Sequence, residues 1–285
     1  MEYNFDDLVK AAQKPTVAKA VLLAIVAGVR GAGKSTLLGT SGLPTLLLYF
    51  KRERHAEAAA KSLGGNIVAI AVDADAAGNI VSADEVVSNI KAILTKPDLS
   101  SKFQVLGFDG ITVLDFYINQ HSSVLKAAKY KDSDAIEALY SDLMSMFYNI
   151  QDKGVHVIAT IAAEGDADKS TGEYVNVTPE LRGYRAVSKV TGAFDDIFCI
   201  GKVYLIDVDG KPDVKRMVQF GATFNKSGKR MSGEVRTMSF ECRLTGVPQQ
   251  FMPEDGMLPA SIRKLIEFKQ EALAKVQEKL ATKKG

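Results

Sequence analysis

A short segment near the start of the chain combines glycines, a lysine and hydroxyl residues at a spacing that can bind phosphate. It fits the pattern G-x-x-x-x-G-K-[S/T] and consists of Gly28, Val29, Arg30, Gly31, Ala32, Gly33, Lys34, Ser35 and Thr36. The glycines let the backbone curl so that successive N–H groups point at a phosphate chain. In such a loop Lys34 is expected to reach the β- and γ-phosphates, and the Ser35 hydroxyl to hold Mg²⁺.

The sequence on either side of this loop supports the interpretation. The apolar run Val21–Ala27 precedes it, and Leu37-Leu38 opens a helix after it, which gives the strand–loop–helix context of a phosphate-binding loop. The alternative is a glycine-rich turn that matches by chance, which happens in about one chain in a hundred of this length. We therefore predict a nucleotide-binding protein with ATP and Mg²⁺ as its cofactors.

A nucleoside triphosphatase also needs a carboxylate that orients Mg²⁺ through water. The expected place is the end of a hydrophobic strand adjacent to the strand of the phosphate-binding loop. The segment Phe103–Asp109 fits, with Asp109 at its end. The alternative role for Asp109 is to cap the following helix.

Hydrolysis requires, in addition, a group that orients or deprotonates the attacking water. Candidates must follow neighbouring parallel strands, because ligands bind at the carboxyl edge of such a sheet. Glu53 is the first choice and Glu164 the second, while Lys34 completes the predicted catalytic set. Thr160, within a strand, is a candidate sensor of the γ-phosphate. The alternatives are a surface carboxylate for each glutamate and a packing residue for the threonine.

Basic residues form two further candidate sites. Arg182 or Arg185 would act in trans as an arginine finger on the nucleotide of a neighbouring subunit. A basic loop near Phe224 would contact nucleic acid, because Lys and Arg make most phosphate contacts. The residues of that loop are Lys226, Lys229, Arg230 and Arg236. A solvated helix face and a solubilising hairpin tip are the alternatives.

The elements that must position these residues follow from the hydrophobic pattern. Strands alternate with helices over about the first 160 residues, which predicts a parallel sheet flanked by helices. Asp209-Gly210 is typical of a hairpin turn, so later strands should extend the sheet in antiparallel fashion. Glu164–Val177 is expected to be a polar loop and Pro179–Thr191 a helix. The predicted fold is α/β, in three parts: an arm at 1–18, an ATPase domain at 19–250, and a helix with a basic tail at 251–285.

Composition and charge bear on whether the protein binds nucleic acid or a membrane. The chain has 285 residues, of which 46% are hydrophobic and 25% charged, as in an ordinary globular protein. Its net charge of +2 does not by itself indicate nucleic-acid binding. The apolar run near Val21 is too short to span a bilayer, and no signal pattern opens the chain. We expect a cytoplasmic protein without a membrane partner.

Taken in order, these segments resemble the phage-encoded RecA-like P-loop ATPases of AAA type, some of which are single-strand annealing recombinases. The resemblance spans roughly residues 19–245, and only the phosphate-binding loop is highly specific. The segments that carry it are Gly28–Thr36, Leu46–Glu53, Val105–Thr112, Tyr140–Glu164, Pro179–Gly183 and Phe194–Ile197. Two positions depart from the group: Phe50-Lys51-Arg52 stands where an Asp is frequent, and Ala162-Ala163 where a His is frequent.

The resemblance implies a RecA-like ATPase that acts on single-stranded DNA in phage recombination, replication or repair, in the host cytoplasm. It also implies a homo-oligomer with the nucleotide near the subunit interface, and a single-strand-binding protein as a partner. The two departures predict that water activation or γ-phosphate sensing differs from that of the group, or that hydrolysis is slow. We expect turnover to be slow or to be stimulated by DNA. A virion assembly or packaging factor is the alternative. A small-molecule kinase is disfavoured, because the Glu164–Val177 loop has no arginine for a lid.

Overall fold

The computed structural model describes most of the first two-thirds of the chain and parts of the remainder. The described residues are 21–28, 33–53, 55–62, 64–129, 134–167, 174–182, 186, 190, 192–206, 212–220, 250–251 and 261–282.

Nine strands and eight helices have defined bounds within these ranges. The strands are β1 Leu23–Gly28, β2 Thr45–Tyr49, β3 Ile67–Ala71, β4 Val105–Asp109, β5 His156–Ala167, β6 Tyr174–Pro179, β7 Asp196–Ile206, β8 Pro212–Phe220 and β9 Gln250–Phe251. The helices are α1 Lys34–Leu38, α2 Ala56–Lys61, α3 Ala83–Leu94, α4 Leu99–Lys102, α5 Ile111–Gln120, α6 Ser122–Lys129, α7 Asp134–Asp152 and α8 Ile262–Thr282.

The strands form one mixed sheet in the order β3-β2-β4-β5-β1-β7-β8-β9. The six strands from β3 to β7 in this order run parallel, and β8 and β9 continue the sheet in antiparallel fashion. Ile206 at the end of β7 pairs with Pro212 at the start of β8, as expected for strands joined through Asp209-Gly210. The predicted α/β class, with its mostly parallel sheet and antiparallel extension, is confirmed.

The position of β5 differs from the sequence-based expectation. The strand that ends in Asp109 was expected beside the strand of the phosphate-binding loop, but β5 lies between them. In the sheet register Asp109 pairs with Thr160 of β5, and Gly28 pairs with Ala162 of the same strand. About two strand spacings, roughly 10 Å, therefore separate the loop strand from the Asp109 strand.

The predicted loop Glu164–Val177 is wrong in part, because β5 continues to Ala167 and pairs with β6 in a hairpin. Ladder hydrogen bonds use backbone groups, so a polar, glycine-containing sequence can form them without a hydrophobic pattern. The helix predicted from Pro179 does not begin there, since Pro179 ends β6 and residues 180–182 are not helical. Ala186 and Val190, further on, have helical backbone.

Both faces of the sheet are covered. On one face α3, α5 and α7 enclose the larger apolar cluster, with Phe108, Tyr140 and Phe147 among its largest side chains. On the other face Leu22 and Leu38 pack with residues of α8. A capping box between Ser82 and Glu85 starts α3, as its sequence predicts. No helix in the described ranges is long and apolar enough to cross a bilayer.

Candidate functional site

A cleft of about 520 Å³ opens at the carboxyl edge of β1, β2, β4 and β5. The residues that line it come from the carboxyl-terminal parts of these strands and from the segments that follow them: Gly33, Lys34, Ser35, Thr36, Arg52, Glu53, Ala59, Asp109, Gly110, Thr112, Val113, Thr160 and Ala162. The parallel sheet thus collects in one place residues that are more than a hundred positions apart in sequence. This is the edge at which ligands of parallel α/β sheets bind.

The described part of the phosphate-binding loop forms one wall of the cleft. Gly33 has φ 99°, a left-handed conformation that glycine adopts without steric cost, and α1 begins at the next residue. The Lys34 ammonium donates a hydrogen bond to the Gly28 carbonyl, with 2.7 Å between Nζ and O. Ser35 and Thr36 line the same wall. Val29, Arg30, Gly31 and Ala32 lie outside the described residues.

Asp109 forms the floor of the cleft and is 2% exposed. The Thr160 hydroxyl donates a hydrogen bond to its Oδ1. Its Oδ2 is buried and has no hydrogen-bond partner among the described residues. Buried polar atoms are nearly always paired, so a lone carboxylate oxygen on a residue that lines a cleft needs an explanation. Mg²⁺ and its bound waters are suitable partners, because carboxylate oxygen is a preferred ligand of this ion.

Gly110 allows the close approach between β4 and β5 at this point. A Cβ atom at position 110 would lie 2.8 Å from the Thr160 Oγ1 and 3.1 Å from the Thr160 carbonyl oxygen. The Asp109–Gly110 peptide bond is cis. On the other side of the cleft, the Ala162 N–H donates to the Thr112 hydroxyl oxygen at 2.9 Å, which ties α5 to β5.

Glu53, the first choice for the water-activating group, lines the cleft from the segment that follows β2. Its N–H donates to the Phe50 carbonyl at 2.8 Å, so a tight turn places it there. Arg52 lines the cleft beside it, a residue to which no sequence motif assigns a role. The only sequence signal for Arg52 was its position directly after a buried strand.

The other predicted site residues are less completely described. Glu164 lies on β5 and pairs with Thr178 in the hairpin; only its backbone is described. Arg182 is exposed, and its backbone N–H donates to the Asp115 Oδ2 at 2.9 Å. Arg185 and the basic loop residues Lys226, Lys229, Arg230 and Arg236 lie outside the described residues.

Asp115 is a buried carboxylate on α5 and belongs to none of the predicted site motifs. Tyr140 donates a hydrogen bond to its Oδ1 at 2.7 Å, and Arg182 donates to its other oxygen. Burial raises the pKa of Asp115, and these two hydrogen bonds oppose the rise. Burial also raises the pKa of Tyr140 well above its usual value. Asp115 therefore fixes the start of the segment after β6 against α5, and no local sequence pattern predicts this contact.

No protein-family model matches the sequence, and no curated protein is significantly similar to it. Among solved structures, the chain is similar to a KaiC-like protein from the hyperthermophilic archaeon Pyrococcus horikoshii OT3. The identity is 13%, the alignment covers 74% of this chain and 90% of that one, and the TM-score is 0.38. At this level the similarity concerns the fold alone.

Proposed function

We propose that this chain is a RecA-like P-loop ATPase that binds ATP with Mg²⁺ and hydrolyses it to ADP and phosphate. The observation that carries the proposal is the buried Asp109 Oδ2 without a hydrogen-bond partner, on a residue that lines the same cleft as Lys34 and Ser35. A lysine and a serine at the start of a helix and a carboxylate on a nearby strand form the donor set of a Mg²⁺-nucleotide site. The sheet brings these three groups together from separate parts of the chain.

Each residue would have a distinct task. Lys34 would bind the β- and γ-phosphates, and the Ser35 hydroxyl would hold the metal ion, with Asp109 orienting it through water. Thr160 keeps the Asp109 carboxylate in place by the hydrogen bond to Oδ1. Bound Mg²⁺ would neutralise charge on the phosphates. Glu53 would orient or deprotonate the attacking water, with Glu164 as the second candidate.

Nucleotide binding and turnover by purified variants test this proposal. Lys34→Ala should weaken ATP binding strongly, because it removes the cation that contacts two phosphates. Asp109→Asn and Glu53→Gln should still bind ATP but lose turnover by about a hundredfold or more, since charge stabilisation and water activation act in the transition state. Asp98→Asn, which removes a carboxylate exposed on the surface, is the matched control and should keep full turnover.

The outcomes separate binding from catalysis. Failure of the wild-type protein to bind ATP or another nucleoside triphosphate at millimolar concentration would overturn the proposal. ATP binding with equal turnover by wild type and Asp109→Asn would retain the nucleotide site and reject Asp109 as the metal residue.

We further propose that the ATPase acts on single-stranded DNA as a homo-oligomer, with the nucleotide near the subunit interface. The support is the resemblance of the ordered motifs to the phage recombinase group, together with the basic residues between Lys226 and Arg236. Arg182 or Arg185 would then reach the nucleotide of a neighbouring subunit. The protein would act in the cytoplasm, which for a phage protein is that of the host cell. A single-strand-binding protein would be a further partner.

The DNA proposal has its own test. Affinity for single-stranded DNA should fall steeply with salt concentration, because binding to phosphates releases counterions. ATP turnover should rise when DNA is present, and Lys229→Ala with Arg230→Ala should remove both effects. If the protein does not bind single-stranded DNA at low salt and DNA does not change ATP turnover, a role in virion assembly or packaging becomes the better hypothesis.

A further inference from the structure

The segment that follows β2 is held in place by a buried carboxylate. Asp73 is fully buried and accepts hydrogen bonds from the Lys51 N–H at 2.5 Å and the Arg52 N–H at 3.4 Å. Its Oδ2 also accepts one from the Tyr117 hydroxyl at 2.9 Å. Burial raises the pKa of Tyr117 to about 12, which keeps this hydroxyl a donor at neutral pH. The backbone of Arg52 is therefore fixed before any ligand binds.

The side chain of Arg52 is also positioned. Its guanidinium carbon lies 5.0 Å from the centre of the Phe116 ring and 5.4 Å from that of the Tyr117 ring. Such cation–π contacts hold the planar group against the aromatic faces, and the Arg52 side chain also hydrogen-bonds to Tyr117. A guanidinium has five N–H donors, so it can still donate to a ligand. Tyr117 in turn stacks on Phe50 in the core, with ring centres 5.6 Å apart. The rings therefore form a rigid support for the cation.

This positioned cation lies at the cleft. Arg52 lines it together with Lys34 and Asp109. The ion pairs found among the described residues do not include Arg52. Arg52 is exposed, and its position is fixed by its backbone hydrogen bond and by the Phe116 and Tyr117 rings. An arginine held in this way at a cleft is suited to bind an anion bidentately.

The strand order indicates which anion Arg52 can reach. Across the sheet edge the order is β2, β4, β5, β1, so Arg52 and the phosphate-binding loop stand about three strand spacings apart, roughly 14 Å. In the proposed site the loop would enclose the inner phosphates of a bound nucleotide, with Lys34 on the β- and γ-phosphates. The terminal phosphate would then be the one nearest Thr160, Asp109 and the end of β2, because these all lie on the same side of the loop strand.

We propose that Arg52 binds the terminal phosphate of the triphosphate within the same chain, so that the cleft distinguishes triphosphate from diphosphate. This inference rests on the proposed nucleotide site and assigns a residue to a role that the motifs do not contain. Asp73, Phe116 and Tyr117 would be positioning residues that keep the guanidinium in place.

Equilibrium binding of ATP and ADP, each with Mg²⁺, to purified wild type and Arg52→Gln tests the inference. A lost charge-assisted hydrogen bond should weaken ATP binding about tenfold to a hundredfold. ADP binding should change less than about threefold, because ADP lacks the phosphate that Arg52 contacts. Arg52→Lys should restore only part of the ATP affinity, since lysine keeps the charge without the planar fork.

Lys51→Gln is the matched control. It removes a cation from the neighbouring position, but the Lys51 ammonium bonds to the Gly78 carbonyl and the residue is not among those that line the cleft. This variant should keep the wild-type ratio of ATP to ADP affinity. Thermal unfolding of each variant would show that the fold is retained.

Three results would be decisive in different ways. If wild type binds neither nucleotide, both the proposed function and the role of Arg52 fail. If wild type binds ATP and Arg52→Gln binds ATP and ADP as tightly as wild type does, the role of Arg52 fails and the nucleotide site stands. If ATP and ADP affinities fall equally, Arg52 supports the site structurally and does not contact the terminal phosphate.

Discussion

At the scale of single residues, the hydrogen bond from Thr160 orients the Asp109 carboxylate in the candidate site. The Thr160 hydroxyl is the donor that holds Oδ1, and both residues are at least 98% buried. Thr160→Val keeps the shape but leaves a buried carboxylate with two unpaired oxygens. We expect a loss of about 1–3 kcal/mol in unfolding free energy. ATP turnover should fall at least about tenfold, because the carboxylate is no longer oriented.

Thr160→Ser provides the control for this prediction, because it keeps the hydroxyl and removes only a methyl group. Urea unfolding and steady-state turnover should both separate serine from valine at this position. Equal turnover by the two variants would show that the hydroxyl does not orient Asp109 for catalysis.

Residues defined by local sequence were predictable, and residues defined by long-range contacts were not. The segment around Lys34 and the strand-terminal Asp109 carry their signal within a few positions. Asp73 looks like an ordinary loop carboxylate, and its burial depends on Tyr117, 44 positions away. The proposed role of Arg52 depends in turn on the contact between Asp73 and Tyr117, and on the aromatic rings of α5 that hold the guanidinium.

At the scale of elements, the sheet order is the feature that sequence patterns could not supply. Hydrophobic runs predicted the strands, but a run contains no information about its neighbour in the sheet. The placement of β5 between β4 and β1 sets Thr160 beside Asp109 in the wall of the cleft. The β5–β6 hairpin was missed for the opposite reason, because its residues are polar and resemble a loop.

The packing of α8 on the sheet yields a second prediction. Lys269 on α8 and Asp196 on β7 form an ion pair with 2.6 Å between Nζ and Oδ2, and both side chains are buried. In sequence Lys269 looks like one of several solvated lysines of a charged helix. Lys269→Met removes one partner and leaves an uncompensated buried charge. We expect a loss of about 3–5 kcal/mol in unfolding free energy, measured by urea denaturation.

The double variant Lys269→Met with Asp196→Leu should recover most of this stability, because an apolar pair of similar volume can replace a buried ion pair. Lys275→Met, an exposed position on the same helix, is the matched control and should have little effect. If Lys269→Met alone is as stable as wild type, the ion pair is not an anchor of α8.

At the scale of the whole molecule, the central strands and α8 act together on His156. The buried His156 Nδ1 accepts a hydrogen bond from the Leu22 N–H at 3.0 Å, which requires an unprotonated Nδ1. Burial, with a smaller contribution from the Lys269 charge, lowers the pKa of His156 to about 4. A side chain at the joint between β5 and the start of β1 therefore couples acid titration to the stability of the sheet.

The sign of the resulting pH dependence follows from proton linkage. The pKa of histidine in an unfolded chain is about 6.5, so between about pH 4 and 6.5 the unfolded chain binds a proton that the folded protein excludes. Unfolding free energy should fall as pH decreases through this window, by about 3 kcal/mol in total from this residue.

His156→Asn can still accept the Leu22 hydrogen bond but cannot titrate. In urea unfolding, the unfolding free energy of wild type should therefore fall relative to that of His156→Asn as pH decreases from 7.5 to 4.5. His55→Asn, which replaces an exposed histidine, is the control and should follow wild type. A constant difference across this range would mean that His156 titrates normally in the folded protein.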